Sequence, residues 1–186
     1  MTIKRPHTIH PVEKASQLEG AFRKLFHQPR RILKKYIREG MTVIDFGCGP
    51  GFFTLELANL VGDKGKIIAV DVQQGMLDIV QRKIVGRAFE KRVQLYKCTS
   101  DSVGLHEKAD FILLFYSIHE VLQKTSVLLE LTSLLKPGGR MLIAEQKGHV
   151  PKSEFRAITN IAMEVGLHIV QRPKFFFSRA VLLKRT

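Results

Sequence analysis

Long apolar runs are missing from this chain: no stretch reaches the eighteen or so uninterrupted apolar residues that a membrane-crossing helix needs. Cysteine is scarce, with only Cys48 and Cys98 and no Cys-x-x-Cys spacing, which excludes a disulfide framework and points to reduced thiols and a cytoplasmic setting. Zinc spacing is absent too, because His7 and His10 have no second ligand pair, so no metal site is expected. The opening Met-Thr-Ile-Lys-Arg-Pro-His carries charge without a following apolar stretch, which argues against a secretory signal. Internal repeats and low-complexity tracts are also lacking.

What is present begins with positive charge. Thirty Lys and Arg stand against seventeen Asp and Glu, a formal net charge of +13. Residues 1–40 hold ten basic and three acidic residues, among them Arg23, Lys24, Arg30, Arg31, Lys34, Lys35 and Arg38. Such a segment reads either as a solvated helix face or as an attractor of an anionic partner, and composition does not choose between them. At 186 residues and 45% apolar composition the chain suits one domain with a substantial core.

The densest information lies in Val43-Ile-Asp-Phe-Gly-Cys-Gly-Pro-Gly-Phe52. β-branched residues lead through an acid into glycines at 47, 49 and 51, then an apolar stretch at helical spacing. This is a strand, a tight turn and a helix start, the arrangement that lets a nucleotide-like ligand lie against backbone. The dinucleotide fingerprint Gly-x-Gly-x-x-Gly fails at its third glycine, where Phe52 stands. The phosphate loop fails as well, since Phe52 and Phe53 occupy the places of its Lys and hydroxyl. Asp45, two residues ahead of Gly47, would repel a pyrophosphate but receive a cation. The turn therefore suits a ligand with an ammonium group and no phosphate.

Further apolar segments repeat the pattern. Lys66-Ile-Ile-Ala-Val-Asp71 is a strand ending in an acid placed to take the hydroxyls of a ribose. Ala109 to Tyr116 is apolar on both faces, as a central parallel strand is. The whole reads as a short helix from Val12 to Gly20, a second from Pro29 to Ile37, strand 41–46, helix 51–61, strand 66–71, helix 74–85, strands 93–97 and 110–116, helix 124–135, strand 140–146 and helix 153–165. Strands from Leu167 to Gln171 and from Lys174 to Leu183 close the chain. Strands alternating with helices give an α/β fold with a mostly parallel sheet covered on both faces. The short link at Arg172-Pro173 makes the last two strands an antiparallel hairpin. The crevice of such a sheet lies at the carboxyl ends of its strands, where strand order reverses.

With the glycine turn at 43–51, the acid at 71 and Lys-Pro-Gly-Gly at 136–139, the chain resembles the class I S-adenosylmethionine-dependent methyltransferases from about residue 40 onward. Within them it is most similar to the small methyltransferases of the ubiquinone/menaquinone-biosynthesis type. The resemblance implies a Rossmann-like seven-stranded sheet of order 3-2-1-4-5-7-6 over 41–186, with 1–40 as a basic helical extension folding over the crevice. It implies S-adenosylmethionine as cofactor and S-adenosylhomocysteine as product. Gly47, Cys48, Gly49 and Gly51 would lie along the methionine part, with Asp45 drawing its ammonium. Asp71 would hold the ribose, Val72 and Met76 border the adenine, and the main chain at Phe115 and Tyr116 complete the pocket. Relatives commonly carry an acid after the third strand; here Thr99 takes that place, followed by Ser100 and Asp101. The alternative for Asp45 and Asp71 is capping of the turns behind them, and for Phe52 and Phe53 it is the core.

His119 and Glu120, after the fourth strand, are the candidates for acid–base work on an acceptor that must lose a proton. Their alternative is a helix start, with Glu120 stabilising its N-terminus. Glu145 and His149 stand behind them as candidates. An Asp/Asn-Pro-Pro-Tyr/Phe motif, a Pro-Cys nucleophile and a multi-cysteine set are all missing, which disfavours base amines, cytosine C5 and arsenic as acceptors and favours O-, C-, N- or S-methyl transfer to a small molecule. Three other readings stay open: an RNA-modifying enzyme gripping nucleic acid through residues 1–40, a non-catalytic cofactor-binding module and, weakened by Phe52, a nicotinamide oxidoreductase. No apolar stripe beyond the core's needs marks an oligomer.

Overall fold

The structure is a computed structural model and describes residues 28–186. The expected helix at 12–20, His7, His10, Arg23 and Lys24 lie outside the described residues. Seven strands run β1 Thr42–Phe46, β2 Lys66–Asp71, β3 Val93–Lys97, β4 Ala109–Phe115, β5 Leu135–Gln146, β6 Leu167–Gln171 and β7 Ser178–Arg185. They form one sheet of order β3-β2-β1-β4-β5-β7-β6, as the resemblance implies. β1 through β5 pair in parallel, while β7 is antiparallel to both β5 and β6. The helices are α1 Pro29–Leu33, α2 Thr54–Leu60, α3 Gln74–Ile84, α4 Lys124–Leu134 and α5 Lys152–Glu164.

Residue parity explains the layers. Successive strand side chains point to opposite faces, so a strand covered on both faces must be apolar at every position. In β2 and β4, Ile67, Ile68, Leu113 and Leu114 are all fully buried. One parity (Val43, Ile67, Phe111, Leu113, Leu142, Leu182) packs with Leu33, Ile37, Phe53 and Leu57 from α1, α2 and their flanks. The other (Ile44, Ile68, Ile112, Leu114, Met141, Ile143, Val181) packs with Leu128 and Leu131 of α4 and Phe155 and Ile158 of α5. Ala69, with only a methyl group, leaves room for Leu77, Val80 and Ile84 of α3.

Three expectations need adjustment. The helix expected over Pro29–Ile37 stops at Leu33 and runs on as a turn through Tyr36, while Ile32, Leu33, Tyr36 and Ile37 keep the buried spacing of one helical face. The turn at Lys136–Gly139 is a bulge inside β5, since Leu135 already pairs with Ala109 before Arg140 pairs with Phe111. The last strand begins at Ser178, not Lys174, because a tight turn, Ser178 N–H to Phe175 O at 3.2 Å, folds the aromatic run back on itself. No helix among the described residues is long and apolar enough to cross a membrane.

Candidate active site

The loops after β1 and β2 are stitched together by backbone. Gly47 and Cys48 donate their N–H groups to Val70 O at 2.8 and 3.0 Å. Gly47 has φ +69°, and a Cβ there would lie 2.4 Å from Ser117 Cβ, so only glycine lets the β1 turn pass under the end of β4. Asp71, at the tip of β2, accepts the Gly49 N–H on Oδ2 and the Gln73 N–H on Oδ1, both at 2.9 Å. It thus caps both turns. A carboxylate has about four lone-pair sites, so these bonds do not exhaust it. Burial pushes its pKa above the ordinary carboxylate value against the pull of the Gln73, Gly49 and Val72 N–H groups. Met76, 1% exposed, begins α3 beside half-buried Val72.

Asp45 sits differently. Its carboxylate is buried, and Oδ2 accepts the Thr54 hydroxyl at 2.7 Å, tying β1 to the first turn of α2. The two thiols are not nucleophiles at neutral pH. Burial, with Asp45 and Asp71 adding to it, holds Cys48 well above the usual thiol range, and burial lifts Cys98 to about 11.

The segment after β3 is joined to the crevice through Cys98 N–H to Asp71 O at 3.1 Å. Beyond it the chain turns on itself. Thr99 Oγ1 donates to Asp101 Oδ1 at 2.8 Å and accepts the Ser102 N–H at 3.2 Å, while Ser100 is exposed. Glu130 of α4 anchors the turn by accepting from Ser102 Oγ, Val103 N–H and Gly104 N–H. The Thr99 hydroxyl is therefore engaged within the turn.

At the end of β4 the backbone is strained. Tyr116 has φ +64°, a region that non-glycine residues rarely enter and that concentrates at functional sites. Its N–H on Ala144 O at 2.9 Å and its hydroxyl against Ser178 Oγ at 2.5 Å hold it there. The Phe115 side chain turns into the core against Phe53, with ring centroids 4.3 Å apart, so only its main chain borders the crevice. Phe53 is a core residue, 4% exposed. Next to Gly47, the buried Ser117 hydroxyl has no hydrogen-bond partner.

His119 and Glu120 then lie in a separate 3-10 turn, Ile118–Glu120, while α4 begins only at Lys124. The alternative that they start the next helix is thereby corrected: the chain is not yet helical at either residue. His119 Nδ1 is 2.8 Å from Glu145 Oε2, and its backbone N–H reaches Glu145 Oε1 at 3.2 Å. Glu145, at the end of β5, is fully buried. The network makes Nδ1–H the donor to that carboxylate and leaves Nε2 as the basic nitrogen. Glu120 Oε1 lies 3.9 Å from Nε2, and the His149 ring stands edge-on at 4.9 Å. Burial works against the imidazolium, but the Glu145 hydrogen bond and the charges of Glu145, Glu120 and Glu154 outweigh it, so the His119 pKa lies above its ordinary value. Lys124 donates to His119 O and Val121 O, and burial lowers its own pKa.

Geometry therefore gathers Asp45, Gly47, Cys48, Gly49, Gly51, Asp71, Val72 and Met76 at one side of the reversal point, and Phe115, Tyr116, His119 and Glu145 at the other. A glycine turn that no Cβ fits, a buried carboxylate with acceptor sites to spare and an orphan hydroxyl beside them suit a ligand bearing hydroxyls and an amino-acid end. The imidazole–carboxylate pair can move a proton. Among the described residues, no group of three or more His, Cys, Asp or Glu is placed to hold a metal ion. Ser117, Thr54 and Glu130 escaped the sequence reading, and nothing local marks them. Glu145 had a signal: an acid ending an apolar strand, the same feature that marked Asp45 and Asp71.

The family described as Methyltransferase domain matches residues 37–168. A ubiquinone/menaquinone biosynthesis C-methyltransferase from Teredinibacter turnerae is 27% identical over 156 residues, covering 74% of this chain and 63% of that protein. Its namesake from Shewanella oneidensis is 29% identical over 109 residues, 58% of this chain and 43% of the relative. The chain thus spans less than two thirds of the length of these relatives. Among solved structures, a SAM-dependent methyltransferase from Aquifex aeolicus superposes with a TM-score of 0.85 at 26% identity, covering 96% of this chain and all of that one. A structure from Methanococcus maripaludis titled a putative S-adenosyl-L-methionine-dependent methyltransferase shares the fold, with a TM-score of 0.78 at 17% identity over 100% and 97% of the two chains.

Proposed function

Since this chain belongs to the methyltransferase-domain family and takes its methyl group from S-adenosylmethionine, we propose that it methylates a small molecule whose accepting oxygen or carbon must give up a proton, and that His119 removes that proton. The observation that carries this reading is the His119–Glu145 pair at the carboxyl ends of β4 and β5, beside the reversal point. An acceptor that keeps its protons would need no such base. The relatives' own name, C-methyltransferase, supports a carbon acceptor.

When bound, the cofactor supplies an electrophilic methyl group on a sulfonium centre. In our reading the backbone of Gly47, Cys48, Gly49 and Gly51 lies along its methionine part, with Asp45 contributing negative charge beneath the turn. Asp71 takes the ribose hydroxyls with the lone pairs left over from Gly49 and Gln73. Val72 and Met76 offer apolar surface to the adenine, Thr99 borders it through its backbone because its hydroxyl is engaged within the turn, and exposed Ser100 lies next to it. Tyr116 and Phe115 close the pocket with main-chain groups. His119 Nε2 accepts the acceptor's proton while Glu145 holds the ring by Nδ1 and stabilises the imidazolium that results.

Two experiments test this. Incubating cell extract with the protein and a methyl-labelled donor, followed by mass spectrometry, is expected to label a small molecule at oxygen or carbon; label confined to macromolecules would sink the reading. The Asp71→Ala variant is expected to bind S-adenosylhomocysteine at least about tenfold more weakly by calorimetry, the loss of a charged hydrogen bond or more. Because two N–H groups then lose their acceptor, the same variant is expected to lose about 1–3 kcal/mol of stability for each group left bare. Asp71→Asn keeps one acceptor oxygen and separates the two effects. Unchanged affinity in both variants would remove Asp71 from the cofactor site.

A further inference from the structure

A cavity of about 430 Å³ lies on the flank of the molecule, lined by Leu55, Arg82, Lys83, Val85, Arg87 and Phe89. Three of its six lining residues are cations and none is an acid. Arg82 and Arg87 are exposed and their guanidinium groups make no hydrogen bond or ion pair among the described residues, while Lys83 donates to Pro50 O at 2.8 Å. The surrounding stretch, residues 82–92, holds five basic residues and one acid. That acid, Glu90, is engaged by the Gly86 N–H at 2.8 Å. The bland account, that cations gather at a helix C-terminus to meet its dipole, covers Arg82 and Lys83 but not Arg87, which lies past the end of α3. Nor does it explain the apolar floor, where Val85 is 58% exposed beside Leu55 and half-buried Phe89.

Cations around an apolar and aromatic floor match an anion joined to a flat apolar body. We propose that this groove seats a single strand of nucleic acid, its phosphates on Arg82, Lys83 and Arg87 and an unpaired base against Phe89, Leu55 and Val85. A duplex, with its bases stacked inward, has nothing to offer that floor, whereas base stacking and backbone neutralisation are how single strands are held. The cavity has the volume of a site for one small aromatic group. The chain's net charge of +13 exceeds the groove's three cations and draws in a polyanion over a distance. α3 runs from the carboxyl end of β2 back toward the start of β3, so Arg87 and Phe89 lie past its far end, while Leu55 and the Lys83–Pro50 bond bring the groove up behind the glycine turn. It is an anchoring surface, independent of the methyl acceptor.

Fluorescence anisotropy with a short labelled oligouridylate tests it. Binding is expected to weaken with salt at a slope of about −2 in log–log form, near −0.7 for each of three phosphates. Arg82→Glu/Arg87→Glu is expected to weaken binding at least about tenfold, with S-adenosylhomocysteine affinity and melting temperature unchanged as proof of an intact fold. Lys34→Glu/Lys35→Glu, equally exposed but elsewhere, is expected to change little. An equal loss in that control would show diffuse attraction and overturn the groove. Inorganic polyphosphate, which has charge and no bases, is expected to compete poorly; equal competition by it or by polyglutamate would overturn the nucleic-acid assignment. Absence of oligouridylate binding at low salt would end it outright.

Discussion

His119→Gln is expected to slow methyl transfer by roughly 10²–10⁴-fold, the usual worth of a positioned general base. Affinity for S-adenosylhomocysteine is expected to stay where it is, since the imidazole faces Glu145 and Glu120 and not the β1 and β2 turns. The pH dependence gives a second readout. A base works in its neutral form, and His119 is held above the ordinary histidine pKa. The rate of the wild-type protein should therefore fall as pH drops through that raised value, and the variant should lose this limb. Glu145→Gln removes the charge that raises the pKa and should move the limb to lower pH, which a merely structural role for Glu145 would not do. Stability runs the other way. Because the folded-state pKa is raised, His119 contributes its full stabilisation below about pH 6.5, and that contribution is lost as pH climbs through the folded value. The protein is thus less stable over the pH range in which its base becomes competent. A pH–rate profile with no acidic limb, or a His119→Gln variant with wild-type turnover, would refute the role given to this residue.

Gly47→Ala is expected to be the most damaging single-methyl change near the site. Holding alanine at φ +69° costs roughly 1–2 kcal/mol. The new Cβ would stand 2.4 Å from Ser117 Cβ, and overpacking of that kind adds about 1–3 kcal/mol. For a domain of this size each kcal/mol lowers Tm by about 2–4 °C, so thermal unfolding should begin roughly 10 °C earlier. Cofactor affinity should fall with it, since the turn and the end of β4 must separate. Gly40→Ala supplies the comparison: its φ is +82° but nothing lies within 4 Å of the added carbon. It should show the backbone strain alone. Adding Ser117→Gly to Gly47→Ala should recover the part due to the overlap. Equal melting temperatures for the two single variants would show that the overlap relaxes without cost.

The sheet was legible because its central strands β1, β2 and β4 are short, almost wholly apolar and followed by helical patterns. Coverage of β2 and β4 on both faces accounts for parallel pairing; the strand order, and with it the reversal point, came from the resemblance to the class I methyltransferases. Acids that end apolar strands marked Asp45 and Asp71, and Glu145 carried the same mark without being weighed equally. What stayed hidden was tertiary. Asp45 meets a hydroxyl nine positions on, and Glu130 closes a loop 26 to 28 positions before it, contacts with no local pattern. The expected start of α4 at residue 124 stands; only the alternative that His119 opens that helix fails, because Ile118-His-Glu120 makes a 3-10 turn that ends before Lys124. Phe175-Phe-Phe177 read as strand from its aromatic content, while its backbone turns at Phe177, φ +54°.

β7 lies between β5 and β6 although it is the last strand of the chain. A ribosome delivers β5 and β6 before the strand that must separate them. Until Ser178–Arg185 has emerged, β5 keeps one flank of open N–H and C=O groups and β6 has no place in the sheet. The half of the sheet that carries Glu145 is therefore completed only after β7 has emerged, and the contact of Glu145 with His119 waits on a strand made after both of them.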